Sequence, residues 1–208
     1  PVGTAGLPVV LLHGGKTSSR WWSHLIEDLK SSLSVIAVDT RAHGRSTDDI
    51  SVALSYDLFA HDAISLLDVL KIPRASFVGW SDGANTALDI AINYPSRADC
   101  IIAFGANFNP NQANITGIGT MPFLMELLHR EENEYNELNP NLDWSLFNDR
   151  VNHMQSVSPT FDQTDFDIIP RFGVVSPAPR ILCADGNHEE VVTRSTVFQL
   201  SDMVSIWS

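Results

Sequence analysis

The sequence is short of cysteine and lacks any apolar run long enough to cross a membrane. Its only cysteines, Cys100 and Cys183, each lie in an apolar run of strand length. Isolated thiols in buried strands are more often inert core residues than a disulfide, so we expect a reducing compartment, the cytoplasm. A membrane-spanning helix needs about 20 consecutive apolar residues, and no stretch of this sequence provides them. We therefore expect no membrane partner.

Basic side chains are also scarce. Lysine and arginine together number 13 against 25 acidic residues, which gives a formal net charge of −12 at pH 7. Such a charge repels nucleic acids and anionic membranes, so neither is an expected partner. Metal-ligand spacings of His, Cys, Asp and Glu are missing, as is the glycine pattern of a dinucleotide site, so we expect no cofactor and no metal. The length of 208 residues and the apolar content of 44% fit one globular domain.

The most informative motif is GWSDG at residues 79–83, between an apolar strand-like run and a helical pattern. A Gly-x-Ser-x-Gly pattern in that position is typical of a nucleophile elbow, a turn so tight that its serine takes a strained backbone conformation. Gly79 and Gly83 remove the Cβ atoms that would collide there. The motif therefore predicts Ser81 as a nucleophile. It also places the amide of Asp82 at a helix N-terminus, where it can stabilise an oxyanion.

A second candidate loop follows the first apolar run. Its GKT at residues 15–17 resembles the end of a phosphate-binding P-loop, but that motif needs a glycine where Val10 stands inside the strand. We predict instead that the amide of Gly15 faces the elbow as the second oxyanion donor. His13, and His43 in the loop after the second strand, are predicted to be hydrogen-bonding structural residues and not bases.

Apolar runs of strand length alternate with helical patterns along the chain. The strand runs cover residues 7–12, 33–38, 75–78, 98–105 and 178–184, and the helical patterns cover 20–31, 55–71, 86 to about 95, and 191–200. Residues 203–207 are predicted to begin one more strand. Mostly apolar strands that alternate with helices predict an α/β fold with a mostly parallel sheet covered by helices on both faces.

Residues 108–170 have a different composition, rich in Asn, Pro, Gly and charged side chains. One helix is predicted there, from Pro122 to Glu137, and no strand. We predict that residues 1–107 and 171–208 form the core, while residues 108–170, the predicted cap, cover the carboxyl ends of the strands. Five apolar side chains of this segment fit a pocket wall and the interior of the cap equally well: Met121, Phe123, Leu124, Trp144 and Phe147.

Taken together, these motifs resemble those of the α/β-hydrolase superfamily over nearly the whole chain. The matching stretches are HGG at 13–15, DTRAHGRS at 39–46, the elbow at 79–83 and the loop at 185–190. The elbow and AFGAN at 103–107 are similar to those of small bacterial and fungal serine hydrolases. The resemblance implies the α/β-hydrolase fold and an esterase-like acyl transfer to Ser81 from a small-molecule ester, thioester or related carbonyl substrate. An aspartate nucleophile, as in dehalogenases, is not expected because serine occupies the elbow centre.

The resemblance also implies a catalytic acid in the loop after the fifth strand. The family's usual Gly-Asp-x-Asp-x-Val-Val pattern aligns with residues 186–192, which puts Glu189 at the acid position and leaves Asp185 as the fallback. A glutamate meets the physical requirement, which is a carboxylate that orients an imidazole and stabilises its charged form. The alternative is that Glu189 and Glu190 form a solvated pair without a catalytic role.

The family's catalytic triad consists of a serine, an acid and a histidine, and the sequence lacks this histidine. The family places it after the last strand, and no histidine follows His188. The leading hairpin of the family is absent too, so both ends look trimmed, and we expect little esterase activity from this chain because serine without a base is a poor nucleophile. His188 is the possible substitute base. The alternatives are a non-catalytic, receptor-like ligand-binding protein on the same fold, and a fragment without a function of its own.

Overall fold

The computed structural model describes residues 7–112, 122–141, 143–169, 178–186, 191–192 and 194–205. Its centre is a five-stranded sheet in which all neighbouring strands are parallel, in the order β2-β1-β3-β4-β5. The strands are β1 (Val9–Leu12), β2 (Val35–Val38), β3 (Ala75–Trp80), β4 (Ala98–Phe104) and β5 (Arg180–Ala184). Each lies where an apolar run predicts it, so the predicted α/β fold with a parallel sheet is confirmed.

Helices connect the strands and follow the last one. They are α1 (Ser23–Leu29), α2 (Tyr56–Val69), α3 (Asp82–Asn93), α4 (Pro122–Leu138), α5 (Trp144–Val157), α6 (Gln163–Asp167) and α7 (Arg194–Ser205). A polar side chain caps several of their N-termini. The hydroxyl of Ser55 accepts from the Leu58 amide before α2, and the carboxylate of Asp143 accepts from the Leu146 amide before α5. Within the described residues, no helix is long and apolar enough to cross a membrane.

The core forms around β1, β3 and α3. The side chains of Leu11 and Phe77 are fully buried in the sheet. Helix α3 packs against β3 and β4, and Ala84, Ala87 and Ala91 are fully buried on it. Small side chains at this spacing let the helix approach the sheet closely. The strand ends that carry the functional loops are therefore held by the most rigid part of the molecule.

Two predictions about secondary structure are wrong. Residues 203–205 belong to α7 and not to a strand, because Leu200 and Val204, four positions apart, are both buried on one side of that helix. Among the described residues, the segment before β5 contains three helices, α4 to α6, where one was predicted. Its missed helix α5 buries Phe147, Val151 and Met154 at helical spacing between polar residues, so its average composition concealed a clear amphipathic pattern.

The helices α4 and α5 lie against the loops at the carboxyl ends of the first three strands. Polar contacts join them to those loops, among them Arg20–Glu137, Asp48–Arg150, Ala42–Asn139 and Asp82–Gln155. The loops follow β1, β2 and β3, whose carboxyl ends meet at one edge of the sheet. The division of the chain into a core and a cap at residues 107/108 and 170/171 stays a prediction.

Candidate active site

Ser81 stands at the junction between β3 and α3, on an unusual backbone conformation. Its φ is 55° and its ψ is −119°, a region that costs a non-glycine residue about 1–3 kcal/mol. Three hydrogen bonds hold the turn. The Ser81 amide donates to the Phe104 carbonyl at 2.9 Å, and the amides of Ala84 and Asn85 donate to the Ser81 carbonyl at 2.8 and 3.0 Å. The conformation is thus imposed by the strand on one side and the helix on the other.

The two glycines of the motif are required by close backbone contacts. A Cβ atom at Gly79 would lie 2.1 Å from the carbonyl oxygen of Gly83, and a Cβ atom at Gly83 would lie 2.1 Å from that of Leu12. No side chain fits at such distances. The steric reason that the sequence suggested for this spacing is confirmed.

The loop after β1 runs beside the elbow. A Cβ atom at Gly14 would lie 3.4 Å from the Cβ of Ser81, so the two segments are in contact. Among the described residues, neither the Gly15 amide nor the Asp82 amide has a hydrogen-bond acceptor. Both predicted oxyanion donors therefore have an N–H group available to a ligand.

The side chain of Asp82 lies beneath this loop and is buried. One carboxylate oxygen accepts a hydrogen bond from the Tyr56 hydroxyl at 2.9 Å, and the other accepts from the Gln155 amide at 2.9 Å. Burial raises the pKa of Asp82, while these two hydrogen bonds and the charge of Lys16 lower it. A Cβ atom at Gly15 would lie 2.3 Å from this carboxylate, which explains the second glycine of the loop. The sequence motif contained no signal for this network.

His13 links the loops that follow β1 and β2. Its Nδ1–H donates to the Gly14 carbonyl at 2.8 Å, and its Nε2 accepts from the Thr40 amide at 3.0 Å. The side chain is only 2% exposed, and burial lowers its pKa. With both ring nitrogens engaged in backbone contacts, His13 is the structural residue that the sequence predicted.

His43 is neutral and packed among aromatic rings. Its Nδ1–H donates to the Arg41 carbonyl at 2.8 Å, and its ring meets Phe147 edge to face with centroids 4.8 Å apart. Burial is the main reason that its pKa falls to about 3, with the neighbouring His13 adding to the effect. Its Nε2 has no hydrogen-bond partner among the described residues. A buried imidazole with so low a pKa is a poor general base near pH 7.

Ser81 opens onto a cavity of about 330 Å³ between the sheet edge and the helices α4 and α5. Its apolar walls come from both sides: Trp21, Trp80, Phe123, Leu124, Leu127, Leu128, Val191 and Val192. The apolar side chains of the predicted cap fall into two groups, one in the pocket wall and one in the interior. Phe123 and Leu124 line the cavity, whereas Phe147 and Trp144 belong to a separate buried cluster, and Met121 lies outside the described residues.

Polar side chains also line the cavity, and we call three of them, Lys16, Glu131 and Gln155, the polar patch. The Lys16 ammonium donates to the Asn152 side-chain oxygen at 2.7 Å. Glu131 on α4 is only 6% exposed, and burial raises its pKa to about 7. The charge of Lys16 opposes that rise, while Asp82 and Glu134 add to it. Sequence reasoning missed this patch because its members are far apart along the chain.

The predicted acid positions are described only in part. Asp185 directly follows β5, and one of its oxygens accepts from the Gly186 amide at 2.8 Å. Glu189 and His188, the predicted acid and the possible substitute base, lie outside the described residues. Val191 and Val192, which follow these positions in the sequence, line the cavity. In the described part of the chain, no group of three or more His, Cys, Asp and Glu side chains could hold a metal ion.

Comparison with known proteins agrees with this architecture. A family profile for the alpha/beta hydrolase fold matches residues 8–167. The 2-hydroxymuconate semialdehyde hydrolase of Pseudomonas sp. (strain CF600) is 32% identical over 105 residues, which cover 49% of this chain and 37% of that protein. The 3-oxoadipate enol-lactonase 2 of Acinetobacter baylyi is 36% identical over 86 residues, 41% of this chain and 32% of that protein. The chain thus spans about a third of the length of these relatives.

Solved structures show the same fold. A meta-cleavage product hydrolase from Pseudomonas fluorescens IP01 superposes with a TM-score of 0.73 at 21% identity, covering 95% of this chain and 79% of that one. The enol-lactonase from Burkholderia xenovorans LB400 superposes with a TM-score of 0.69 at 18% identity, covering 96% and 80%. Because the family profile extends over most of its length and the sheet carries the expected elbow, the chain belongs to the α/β-hydrolase family.

Proposed function

We propose that this protein is a serine hydrolase that acts by acyl transfer on an ester or a related small carbonyl compound. The observation that carries the proposal is the strained Ser81 between Gly79 and Gly83, at the wall of a cavity of about 330 Å³. Such strain is retained where a function needs it. The hydrolase and lactonase named above suggest the chemical class, because their names specify a semialdehyde and an enol lactone, which are small carbonyl compounds.

In this mechanism the Ser81 oxygen attacks the substrate carbonyl carbon. The amides of Gly15 and Asp82 donate hydrogen bonds to the oxyanion of the tetrahedral intermediate. This intermediate collapses to an acyl-enzyme, and the leaving oxygen takes up the proton that the base removed from Ser81 and departs as the alcohol. Water then hydrolyses the acyl-enzyme. Each donor of an oxyanion hole is worth roughly 10²–10³ in rate. Residues 108–170 would cover the site as a cap and supply part of its apolar wall.

The proposed base and acid come from the loop that follows β5. Among the described residues, no histidine is hydrogen-bonded to the Ser81 hydroxyl, and His13 and His43 are engaged elsewhere. Glu189 remains the proposed acid, with Asp185 as the fallback, and His188 is the substitute base to test. Glu189→Gln should reduce turnover about 10⁴-fold if that carboxylate orients the base. The same loss in Asp185→Asn instead would move the role to Asp185.

Labelling by a fluorophosphonate probe tests the nucleophile. We expect peptide mapping by mass spectrometry to place the label on Ser81, and Ser81→Ala to abolish both labelling and hydrolysis of p-nitrophenyl acetate. Ser158 offers a matched control because it lines the same cavity while its hydroxyl donates to the Met154 carbonyl at 2.8 Å. Ser158→Ala should keep the label. A label on any other residue, or activity that survives Ser81→Ala, would overturn the mechanism.

A second candidate function is ligand binding without turnover. It is favoured by the neutral His43 and the engaged His13, which leave Ser81 without an imidazole in the described part of the chain. His188→Ala separates the two candidates. A hydrolase that uses His188 loses turnover in this variant. A receptor-like protein shows saturable binding of small esters, with no hydrolysis before or after the substitution.

A further inference from the structure

We propose that Glu131 and Lys16 recognise an uncharged hydroxyl or amide group on the ligand that occupies the cavity beside Ser81. This deepens the proposed function, on which it rests for the identification of the ligand as a substrate. The class of molecule is a small carbonyl compound with an apolar body and a neutral, hydrogen-bonding tip.

The first argument is the position of Glu131. It lines the cavity from α4 with 6% of its surface exposed, beside the apolar side chains of Leu124, Leu127 and Leu128. In the described part of the structure, no group donates a hydrogen bond to its carboxyl. A buried polar group without a partner costs about 1–3 kcal/mol, and a ligand that supplies the hydrogen bond recovers this. The carboxyl is therefore available to the cavity and is not part of the protein's own network.

The second argument is the charge balance around Lys16. Both oxygens of Asp82 accept hydrogen bonds, from Tyr56 and Gln155, which is the arrangement that favours an ionised carboxylate. Lys16 is the cation that lowers the pKa of both carboxyl groups, so an ionised Glu131 beside an ionised Asp82 would leave one uncompensated negative charge in a buried site. Neutral Glu131 avoids this, which agrees with its pKa of about 7.

The third argument is the hydrogen-bonding capacity that results. A protonated carboxyl both donates and accepts, and the Lys16 ammonium has N–H groups beyond the one directed at Asn152. A hydroxyl or an amide satisfies both groups without adding charge. A ligand carboxylate would add a second anion to the patch, and a ligand ammonium would lie beside the Lys16 cation. Both are disfavoured in a buried site.

The remaining walls fit the apolar body of such a ligand. Trp21 stacks on Trp80 with centroids 5.7 Å apart, and the guanidinium of Arg130 lies 4.2 Å from the Trp21 ring. These contacts fix a flat aromatic wall next to Ser81. A volume of about 330 Å³ suits a small ligand at the lower end of ordinary binding sites.

Binding of four anilides tests the proposal without any turnover. We choose hexananilide, 6-hydroxyhexananilide, 6-aminohexananilide and adipic acid monoanilide, because amides of this kind react far more slowly than esters. Dissociation constants at pH 6 come from isothermal titration calorimetry or from quenching of tryptophan fluorescence. We expect 6-hydroxyhexananilide to bind about 5- to 10-fold more tightly than hexananilide, as one satisfied hydrogen bond predicts. The charged analogues should bind more weakly than the hydroxyl analogue.

Substitutions test whether the polar patch causes the preference for the hydroxyl analogue. Glu131→Leu should remove the hydroxyl preference, whereas Glu131→Gln should keep it because a carboxamide also donates and accepts. Glu126→Leu, at an exposed position of the same helix, is the control and should change nothing. Equal binding of the hydroxyl and plain anilides by the unmodified protein, tightest binding of the ammonium analogue, or a preference that survives in Glu131→Leu would each overturn the proposal. Should Glu131→Leu not fold, Glu131→Gln and the ligand series decide the matter.

The binding series and the labelling of Ser81, both measured on the unmodified protein, separate this proposal from the proposed function. A hydroxyl preference in a protein whose Ser81 is never labelled would remove the hydrolase mechanism and leave the recognition site intact. Labelling of Ser81 without any hydroxyl preference would leave the hydrolase mechanism intact and remove the recognition site.

Discussion

The buried carboxyl of Glu131 makes the stability of this protein depend on pH, and Glu131→Gln should remove that dependence. The pKa of the group rises from 4.5 to about 7 on folding, mainly through burial. A raised pKa means that the folded state binds the proton more tightly than the unfolded state. The contribution is therefore complete below pH 4.5 and is lost as the pH rises through about 7.

The magnitude follows from the size of the shift. About 2.5 pKa units at about 1.4 kcal/mol per unit give a loss on the order of 3 kcal/mol between pH 4.5 and pH 7.5. The charged groups around Glu131 are Lys16, Asp82 and Glu134, and all of them stay in the variant. Other buried groups that titrate in this range, including Asp89 with a pKa of about 6, contribute equally to both proteins. The difference between the two proteins therefore isolates Glu131.

Urea denaturation followed by circular dichroism at several pH values measures the effect. We expect the unfolding free energy of Glu131→Gln, relative to the unmodified protein, to rise by about 3 kcal/mol from pH 4.5 to pH 7.5. Glu126→Gln, at an exposed position of α4, should show no such trend. A difference that stays constant across this range would refute the reasoning, because it would mean that Glu131 is ionised at the same pH in the folded and unfolded chains.

Three further changes test other parts of the structure. Gly83→Ala should prevent folding or cost more than about 3 kcal/mol in thermal unfolding, since its Cβ would lie 2.1 Å from the Leu12 carbonyl oxygen. Gly186→Ala should be nearly neutral, because no atom of the described residues lies within 4 Å of the added Cβ. Ser81→Gly should relieve the strain of the elbow and raise stability by up to about 1 kcal/mol while abolishing fluorophosphonate labelling. Phe147→Ala should cost about 3–5 kcal/mol in urea denaturation, because that ring is 3% exposed, and Phe123→Ala, at 66% exposure, should cost less than about 1 kcal/mol.

What the sequence predicted well depends on neighbours along the chain. The strands follow from short apolar runs, and Gly79 and Gly83 follow from the sterics of one tight turn. His13 was also predicted correctly, since a histidine next to two glycines at a strand end has backbone groups within reach. These features involve few residues and short separations, so they can be recognised without knowing the tertiary structure.

The features that the sequence did not predict depend on contacts between distant segments. Glu131 is one of several glutamates in a polar helix, and nothing along the chain shows that it alone faces the cavity. The same holds for Gln155, which reaches Asp82 across 73 positions of the sequence. Residues 203–205 are a different case, because there the prediction failed over a short separation along the chain. Their β-branched and apolar side chains favour a strand, but burial of Val204 one turn beyond Leu200 stabilises the helix instead.

Asn139, directly after α4, couples the end of that helix to the loop after β2. Its side-chain amide donates to the carbonyls of Ala42 and Gly44 at 2.9 and 3.1 Å, in a loop where both residues have positive φ angles of 67° and 51°. An alanine in that conformation is strained, and the hydrogen bonds from Asn139 help to stabilise the loop in it. In hydrogen exchange, the amides of this loop and of the last turn of α4 should therefore open together, as one cooperative unit less stable than the sheet beneath them.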